Sequence, residues 1–468
     1  MTSVPSTVGI VASGEDVLND AVFWVDAGRS SVVSGALSNL GTGGSTLNAV
    51  FGNSTGVDSF DPALLAHTGT NYLYLPGVSG NSSSAPSITA YNINGDLEIE
   101  LDIALVTLSP TTNSYILARG VGDPNRAFFL SLQSTGAPRL SWYPTGSAAS
   151  AVNAISTATL ASVGISAGQR FGLKVTLDVD NGASGNDVRF WYSTNNGSSW
   201  TQLGSTITNS GVTSLPTVTA SMNINPNLGG TELAASVYRC IVRNGIGGTT
   251  VFDADFTTGI TSGSQTTFTE SSANAATVTI NRSTSGRKAV AVTRPILLFG
   301  TDDYLEVADN DMLDFGASDS FTVLLVHRAW ATFATSAAGV AKKANATATT
   351  QGWLLSAGST TAAQGQMQVG DGTNGTTAVS GSRTSGALSI VTAVRNVTAD
   401  TVQTFLGNTG GTAITDATTT TSANAEVMRI GRLSGAGTGY SDFEVLAAAV
   451  WRRALNANEI ATIVARYS

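Results

Sequence analysis

Apolar and polar residues alternate along short runs separated by glycine- and asparagine-rich breaks, which is the period of half-buried strands. From Tyr72 onward the runs are NYLYLPG, DLEIELDIAL, NSYILARG, RAFFLSLQ, PRLSWYP, RFGLKVTLDVD, DVRFWYS, WTQLG, TASMNI, ASVYRCIVRNG and TVFDADF. About eleven strands joined by short turns are the content of a two-sheet jelly-roll sandwich. A second series runs DYLEVAD, SFTVLLVHRA, AAGVAKK, GWLLSA, GQMQVGDG, LSIVTAVRN, TVQTFLG, VMRIGR and FEVLAAAVWRR. It closes on a segment of helical period, NANEIATIVARYS. There Asn456 is placed as N-cap, Glu459 completes a capping box, and Ile460, Ile463 and Val464 share one face. The pattern predicts an all-β chain of two tandem jelly-roll β-sandwiches with a short C-terminal helix packed on the second.

Residues 1–20 read as a polar lead and 21–65 as a small N-terminal module, in which Val22, Phe23, Trp24 and Val25 predict one buried strand. Sandwich 1 is placed at 66–259, a Ser/Thr-rich connector with one or two short strands at 260–298, and sandwich 2 at 299–468. The two series match in order: NYLYLPG with DDYLEVA, GDLEIELDIAL with DSFTVLLVHRA, YILARG with AGVAKK, and FFLSLQ with GWLLSA. They read as a divergent tandem repeat of one domain.

At 468 residues, with 42% apolar and 12% charged residues, the chain is expected to bury substantial cores, and charge-driven disorder is excluded. A net charge of −9 with only four lysines leaves no basic stripe for phosphates, so nucleic acid is not an expected partner. Cys240 stands alone, which rules out an intrachain disulfide and a cysteine metal cage; it reads as a small buried hydrophobe. His67 and His327 lie too far apart in sequence to suggest a zinc site. No run approaches the ~18 apolar residues of a membrane span, so membrane insertion is not expected. The first residues lack the charged and apolar regions of a signal peptide, which predicts folding in a cytoplasm. The Thr/Ser/Gly/Ala-rich, Lys-poor composition nonetheless suits an exposed adhesive protein, and a particle component assembled in a host cytoplasm and released by lysis satisfies both.

Several groups suggest chemistry. Glu98, Glu100 and Asp102 alternate on one face of a strand, at an i to i+2 spacing of about 6.5–7 Å that two glycosidase carboxylates tolerate. The run resembles the acidic strand of laminarinase-like glycosidases but lacks their Glu, Asp, Glu order. The sister run carries Thr322, Leu324 and Val326 at those places, so a solvated outer face is expected and no catalytic residue is assigned. Ser193, Asn195, Gly197 and Trp200 keep the spacing of an Asp-box, with Asn for Asp, and predict a hairpin turn onto which the tryptophan packs back. Two oxygen-rich loops suit a hard cation such as Ca2+, one with Asp178, Asp180 and Asp187, the other with Asp302 and Asp303 followed by Asp309 and Asp311. Trp142, Tyr143, Trp191, Trp330 and Trp353 sit in or beside strands that would line a sheet and are the candidates for stacking on a sugar.

The phrases FGTDDYLEVADNDMLDFGASDSFTVLLVHRAW and VMRIGRLSGAGTGYSDFEVLAAAVWRRALNANEIATI resemble the opening and closing of LamG-like, concanavalin-type domains. Nearly end to end, through FWVDAGRSS, HTGTNYLYLPG, TLDVDNGASGNDVRFW, VYRCIVRNGIGGTTVFDADFTTGITSG and SGRKAVAVTRPILLFGTDDYLEV, the chain resembles minor tail proteins of phages that infect actinobacteria. The resemblance implies a virion protein, non-enzymatic, whose LamG-like sandwiches bind glycans of the host cell envelope. Its implied partners are other virion proteins and further copies of itself in the particle. A capsid-surface decoration protein and a glycan depolymerase are the alternative expectations.

Overall fold

The computed structural model describes residues 14–52, 62–226, 228, 230, 232–284, 286–300, 302–330, 338–356, 364–433, 435 and 443–468. The chain divides into two units, residues 67–294 and residues 1–66 with 295–468. Each is a pair of antiparallel sheets closed on its own apolar core, and a short helix, Ala457–Tyr467, ends the second. The first unit is thus inserted in the sequence of the second, and the two are called the inserted and the split sandwich below.

In the inserted sandwich one sheet runs Thr201–Gln202, Gly185–Ser193, Arg170–Asp178, Leu97–Leu105, Ala234–Asn244, Tyr72–Pro76, Val290–Val292, with Ile207–Ser210 and Thr249–Asp255 paired beside Gly185–Ser193 and Ala234–Asn244. Strict alternation makes it two-faced, because successive side chains on a strand point to opposite sides. Leu97, Ile99, Leu101, Ile103 and Leu105 enter the core with Leu173, Val175, Leu177 and Cys240, while Glu98, Glu100 and Asp102 take the outward face. The opposing sheet runs Val152–Ile155, Pro138–Trp142, Phe128–Leu132, Ser114–Arg119, Met222–Ile224, Ser82–Ala85, Thr277–Asn281, Thr267–Thr269.

The split sandwich repeats this order. Phe321–Arg328 lies between Leu388–Asn396 and Glu444–Trp451 as Leu97–Leu105 lies between Arg170–Asp178 and Ala234–Asn244. In its other sheet, Gln364–Gly370, Gly352–Ser356, Ala338–Lys343, Met428–Ile430 and Leu305–Val307 follow one another as do Pro138–Trp142, Phe128–Leu132, Ser114–Arg119, Met222–Ile224 and Ser82–Ala85. One matched pair of phrases is thereby corrected. The strand of DDYLEVA corresponds to Ser82–Ala85, and NYLYLPG corresponds to Ile296–Leu298, since each of the latter two borders the strand next to the central one.

The N-terminal segment also departs from the pattern-based reading. Rather than a separate module, its strands complete the split sandwich: Phe23–Asp26 pairs with Glu444–Trp451, Ala49–Phe51 with Leu305–Val307, and Ala63–Leu65 with Ile296–Leu298. Phe23–Asp26 is buried throughout, as its apolar run predicts. The lead contributes a short helix, Gly14–Asn19, and residues 1–13 lie outside the described residues. Residues 260–298 are likewise no connector. Thr267–Thr269, Thr277–Asn281 and Val290–Val292 belong to the sheets of the inserted sandwich, and Ile296–Leu298 to the split one.

These two segments are equivalent. Thr249–Asp255, Thr277–Asn281 and Val290–Val292 add to the inserted sandwich at the positions where Phe23–Asp26, Ala49–Phe51 and Ala63–Leu65 add to the split one. The split sandwich is therefore a circular permutation of the inserted one, with its last strands supplied from the start of the chain. Chain passage between units needs only two neighbouring strand ends in each: Leu65 is the register partner of Ile296, and Tyr72 of Val292.

The C-terminal helix has the predicted capping box, Asn456 Oδ1 accepting from the amides of Asn458 and Glu459 and Glu459 from the amide of Asn456. Ile460, Ile463 and Tyr467 are its buried face, with Val464 half-buried.

Candidate functional site

The outward face of the charged sheet is built by register. Asp102 lies between Gly172 and Arg239, Glu100 between Lys174 and Ile241, and Glu98 between Thr176 and Arg243, so three rungs, each centred on a carboxylate, cross the sheet. The outward face of the acidic strand is only partly solvated, with Glu100 and Asp102 half-buried where the cleft opens. Glu98 is 5% exposed, and the carboxylates of Glu100 and Asp102 are shielded by cross-strand cations. Arg170 holds Asp102 with two hydrogen bonds, at 2.9 and 2.6 Å, while its guanidinium stacks 3.8 Å from the Tyr238 ring centre. Arg239 holds Asp253 in the same forked way, at 2.8 and 2.6 Å. Such planar pairs are the geometry that arginine makes best.

Arg243 is more loosely engaged. It approaches Glu98 at 3.5 Å and Glu100 at 3.4 Å, and its Nη1 lies buried without a hydrogen-bond partner among the described residues. Loss of water around Glu100 pushes its carboxyl above the ordinary carboxylate range, an effect that Arg243 opposes and Glu98 reinforces.

The aromatic element comes from the turn after Gly185–Ser193. Ser193 Oγ accepts from the amides of Asn195 and Gly197, Asn195 Oδ1 accepts from the Ser199 amide, and Gly197 adopts a φ of 79° open to glycine. The turn folds Trp200 back onto the sheet over Gly172. A Cβ at position 172 would meet Trp200 Cη2 at 2.9 Å, so only glycine lets the indole lie this close. Lys174 Nζ sits 4.6 Å from the Trp200 ring centre and 5.7 Å from that of Trp191. Between the indole and the charged rungs lies a cleft of about 290 Å³ lined by Trp200, Gly172, Asn196, Gly197, Glu100, Leu101, Asp102, Arg239, Ile241 and Arg243. Five carboxylates (Glu98, Glu100, Asp102, Asp253, Asp255) face four cations (Arg170, Lys174, Arg239, Arg243) across this surface. The site combines a half-buried aromatic wall with hydrogen-bond donors and acceptors fixed by ion pairs.

No family model matches this sequence, and no curated protein matches it. Solved structures match at the level of fold. Domains LG4-5 of the mouse laminin alpha1 chain are 13% identical, with a TM-score of 0.32, over 86% of this chain and 95% of that one. A heptameric SAP-like pentraxin from Limulus polyphemus is 13% identical, with a TM-score of 0.25, over 38% and 78% of the two chains. The CBM40 of a Ruminococcus gnavus IT-sialidase, solved with alpha2,3 sialyllactose, is 13% identical, with a TM-score of 0.27, over 32% and 84%. At these values the likeness concerns the all-β sandwich and carries no assignment of the cleft.

The sequence-predicted aromatics do not form one surface. Trp142 and Trp353 are core residues, 0% and 1% exposed, with their indole N–H groups bonded to Thr213 and to the Leu313 carbonyl. Tyr143 packs against Phe129 at 5.0 Å, with Arg126 at 5.7 Å from its ring. These three are corrected from ligand-binding to packing residues: strand alternation turns Trp142 and Trp353 into the two-sheet cores, and Tyr143 packs with Ala118 and Phe129 in a separate small cluster. Trp330 is half-buried in the split sandwich and donates to Glu444 at 2.9 Å. Trp191 alone of the set shares the outward face of the charged sheet, in register with Lys174 and 5.7 Å from its Nζ, without lining the cleft.

Trp200 was legible only as a turn residue. Its spacing from Ser193 was the signal, whereas Gly172, the residue it covers, is 28 positions earlier and carries no motif.

The carboxylates of the two candidate calcium loops are engaged within their own turns. Asp178 accepts from the Asp180 amide, Asp180 from the Gly182 amide, and Asp187 from Asn181, Thr208 and Arg189. Those bonds, that of Asn181 foremost, hold the Asp187 carboxyl below its ordinary range. Asp303 accepts from the Gly300 amide at 2.5 Å and is buried, while Asp302 is exposed. Among the described residues no group of three or more His, Cys, Asp or Glu gathers as metal ligands. The loops use their carboxylates to build turns.

His67 Nε2 lies 2.9 Å from Asn71 Oδ1, and His327 is fully buried with its ring edge-on to Phe443 at 5.9 Å. Cys240 is buried, and burial pushes its thiol pKa up, consistent with a packing role.

Proposed function

We propose that the protein is a non-enzymatic glycan-binding component of a bacteriophage virion, a minor tail protein that engages host-envelope saccharide through the cleft of the inserted sandwich. The observation that carries the binding is Trp200, packed over Gly172 beside Glu100 and Arg243. An indole face stacks on the C–H face of a pyranose, and the flanking charged groups accept from and donate to its hydroxyls. Binding is favoured over hydrolysis because Asp102 is locked by Arg170 and Glu98 is engaged by Arg243 and by the Gly247 amide. Neither is left free to protonate a leaving group or to attack.

The virion role rests on the resemblance of long phrases of the sequence to actinobacteriophage minor tail proteins. Affinity per site would be weak and copy number in the particle would supply avidity.

The test is titration of purified protein onto intact host cells and onto isolated cell-wall polysaccharide, with Trp200→Ala as the comparison. Wild-type binding is expected to fall at least tenfold in the variant, about 1.4 kcal/mol, with the melting temperature little changed. Equal binding by both proteins would reject the cleft, and release of new reducing ends from the polysaccharide would favour the depolymerase alternative. Immunogold labelling of intact particles separates tail from capsid surface.

A further inference from the structure

We infer that the cleft selects uncharged saccharides and discriminates against uronates and other acidic sugars, with Glu100 as the discriminating residue. The inference rests on reading this cleft as the glycan site and adds the ligand's charge class to it.

The cations around the cleft look suited to an acidic ligand, but they are already committed. Arg170 and Arg239 each spend a two-point fork on Asp102 and Asp253, and Lys174 is drawn over the Trp200 ring. A ligand carboxylate would have to break such a fork to gain one of its own, stranding a protein carboxylate on a half-buried surface. What remains unspent is of a different kind. Arg243, which lines the cleft, makes only long contacts, 3.5 Å to Glu98 and 3.4 Å to Glu100, and Glu100 has no closer cation among the described residues.

A hydroxyl group serves both, because it donates to the carboxylate and accepts from the guanidinium. Two neighbouring hydroxyls of a pyranose lying on Trp200 fit that pair. A carboxylate can answer only Arg243 and meets Glu100 as a like charge, in a site where solvent screens poorly. The repulsion is expected to weaken binding of an acidic counterpart at least about tenfold.

The experiment measures, by isothermal titration calorimetry with the full chain at 0.1 M salt and pH 7.5, matched oligosaccharide pairs. These are gluco-, galacto- and manno-configured neutral oligomers, each beside its C6-oxidised uronate form. The expected result is binding of at least one neutral oligomer and tenfold or weaker binding of its uronate. Glu100→Gln, which keeps the side-chain shape and removes the charge, is expected to narrow that ratio to threefold or less. Equal or tighter binding of the uronate by wild type overturns the selectivity while leaving the cleft as a glycan site. A ratio unchanged in Glu100→Gln, in a variant with a wild-type circular dichroism spectrum, removes Glu100 from the role. If no oligomer of either kind binds, and host polysaccharide does not either, both the inference and the reading beneath it fail.

Discussion

At the centre of the inserted sandwich's charged sheet the outward positions are Glu98, Glu100 and Asp102; at the matching places in the split sandwich they are Thr322, Leu324 and Val326. The neighbouring rungs differ in the same sense: Arg239, Ile241 and Arg243 in one, Ala447, Ala449 and Trp451 in the other. The cause is what covers the face. In the split sandwich the two helices pack across it. Trp451 Nε1 donates to the Val17 carbonyl, the Leu455 amide to Thr322 Oγ1, and Tyr467 Oη to Asp26, while Arg466 sits 5.7 Å from the Trp24 ring centre. Thr322, Leu324 and Val326 are each 0% exposed.

A sheet face under helices must be apolar, and a sheet face in water can carry charge. One strand order therefore gives a binding surface in one unit and a second hydrophobic layer in the other. The lesson is that a repeat transfers its core and not its site.

The largest expected break in this equivalence concerns the ends of the units. Residues 299–468, which read from their pattern as a free-standing domain, lack Phe23–Asp26, Ala49–Phe51, Ala63–Leu65 and Ile296–Leu298, and expose the edges those strands pair with. Expressed alone, this fragment is expected to aggregate or to melt without a cooperative transition. Residues 14–66 joined by a short glycine linker to 295–468, across the Leu65 and Ile296 register pair, are expected to melt cooperatively by circular dichroism. A cooperative melt of the bare fragment would show that the N-terminal strands are dispensable.

Of intermediate size is the effect of the helix-covered face. Trp24→Ala removes a 1%-exposed indole between the sheet and the C-terminal helix and is expected to destabilise the split sandwich by about 3–5 kcal/mol. Chemical denaturation of the joined split sandwich measures it. A loss below about 1 kcal/mol would mean that the helix layer contributes little to that unit.

The smallest effect is in acid. Burial alone would raise the Asp371 carboxyl, but the amides of Asn374, Thr419, Thr373 and Thr420 donate to it and hold it well below the usual carboxylate range. Asp416 is lowered against burial in the same way by Arg395 and Thr418. A carboxyl depressed on folding stabilises fully above its unfolded value of about 3.9 and loses that contribution as pH falls through the folded value. Asp371→Asn is expected to cost about 1.5–3 kcal/mol near neutral pH and to flatten the fall in melting temperature between pH 5 and pH 2. An unaltered slope would place the acid sensitivity elsewhere.

Much of the fold was legible because its signals are local. Alternation in DLEIELDIAL marked a strand and its inward face, the NANE segment marked a capped helix, and the Ser193 to Trp200 spacing marked a turn, each within a dozen residues. The domain boundaries were not, because a strand carries no mark of its partner. Nothing in FWVD names a partner more than 400 residues away, and nothing in TVTIN distinguishes a connector from a sheet strand. The site failed for the same reason. Trp142 and Trp353 have the composition of a sugar platform, and only the side of the sheet they face makes them core.

By itself, then, the sequence determined the all-β class, the two cores, the helix and the turn that holds Trp200, since period, capping and turn chemistry are short-range properties of the chain. The tertiary structure alone decided that the first strands close the last sandwich, and that Gly172 lies under Trp200. It also decided that the carboxylates of the acidic strand are answered by arginines from strands far along the chain. Those facts depend on hydrogen-bond register between distant strands and on which face solvent reaches, quantities that come into being only when the sheets assemble.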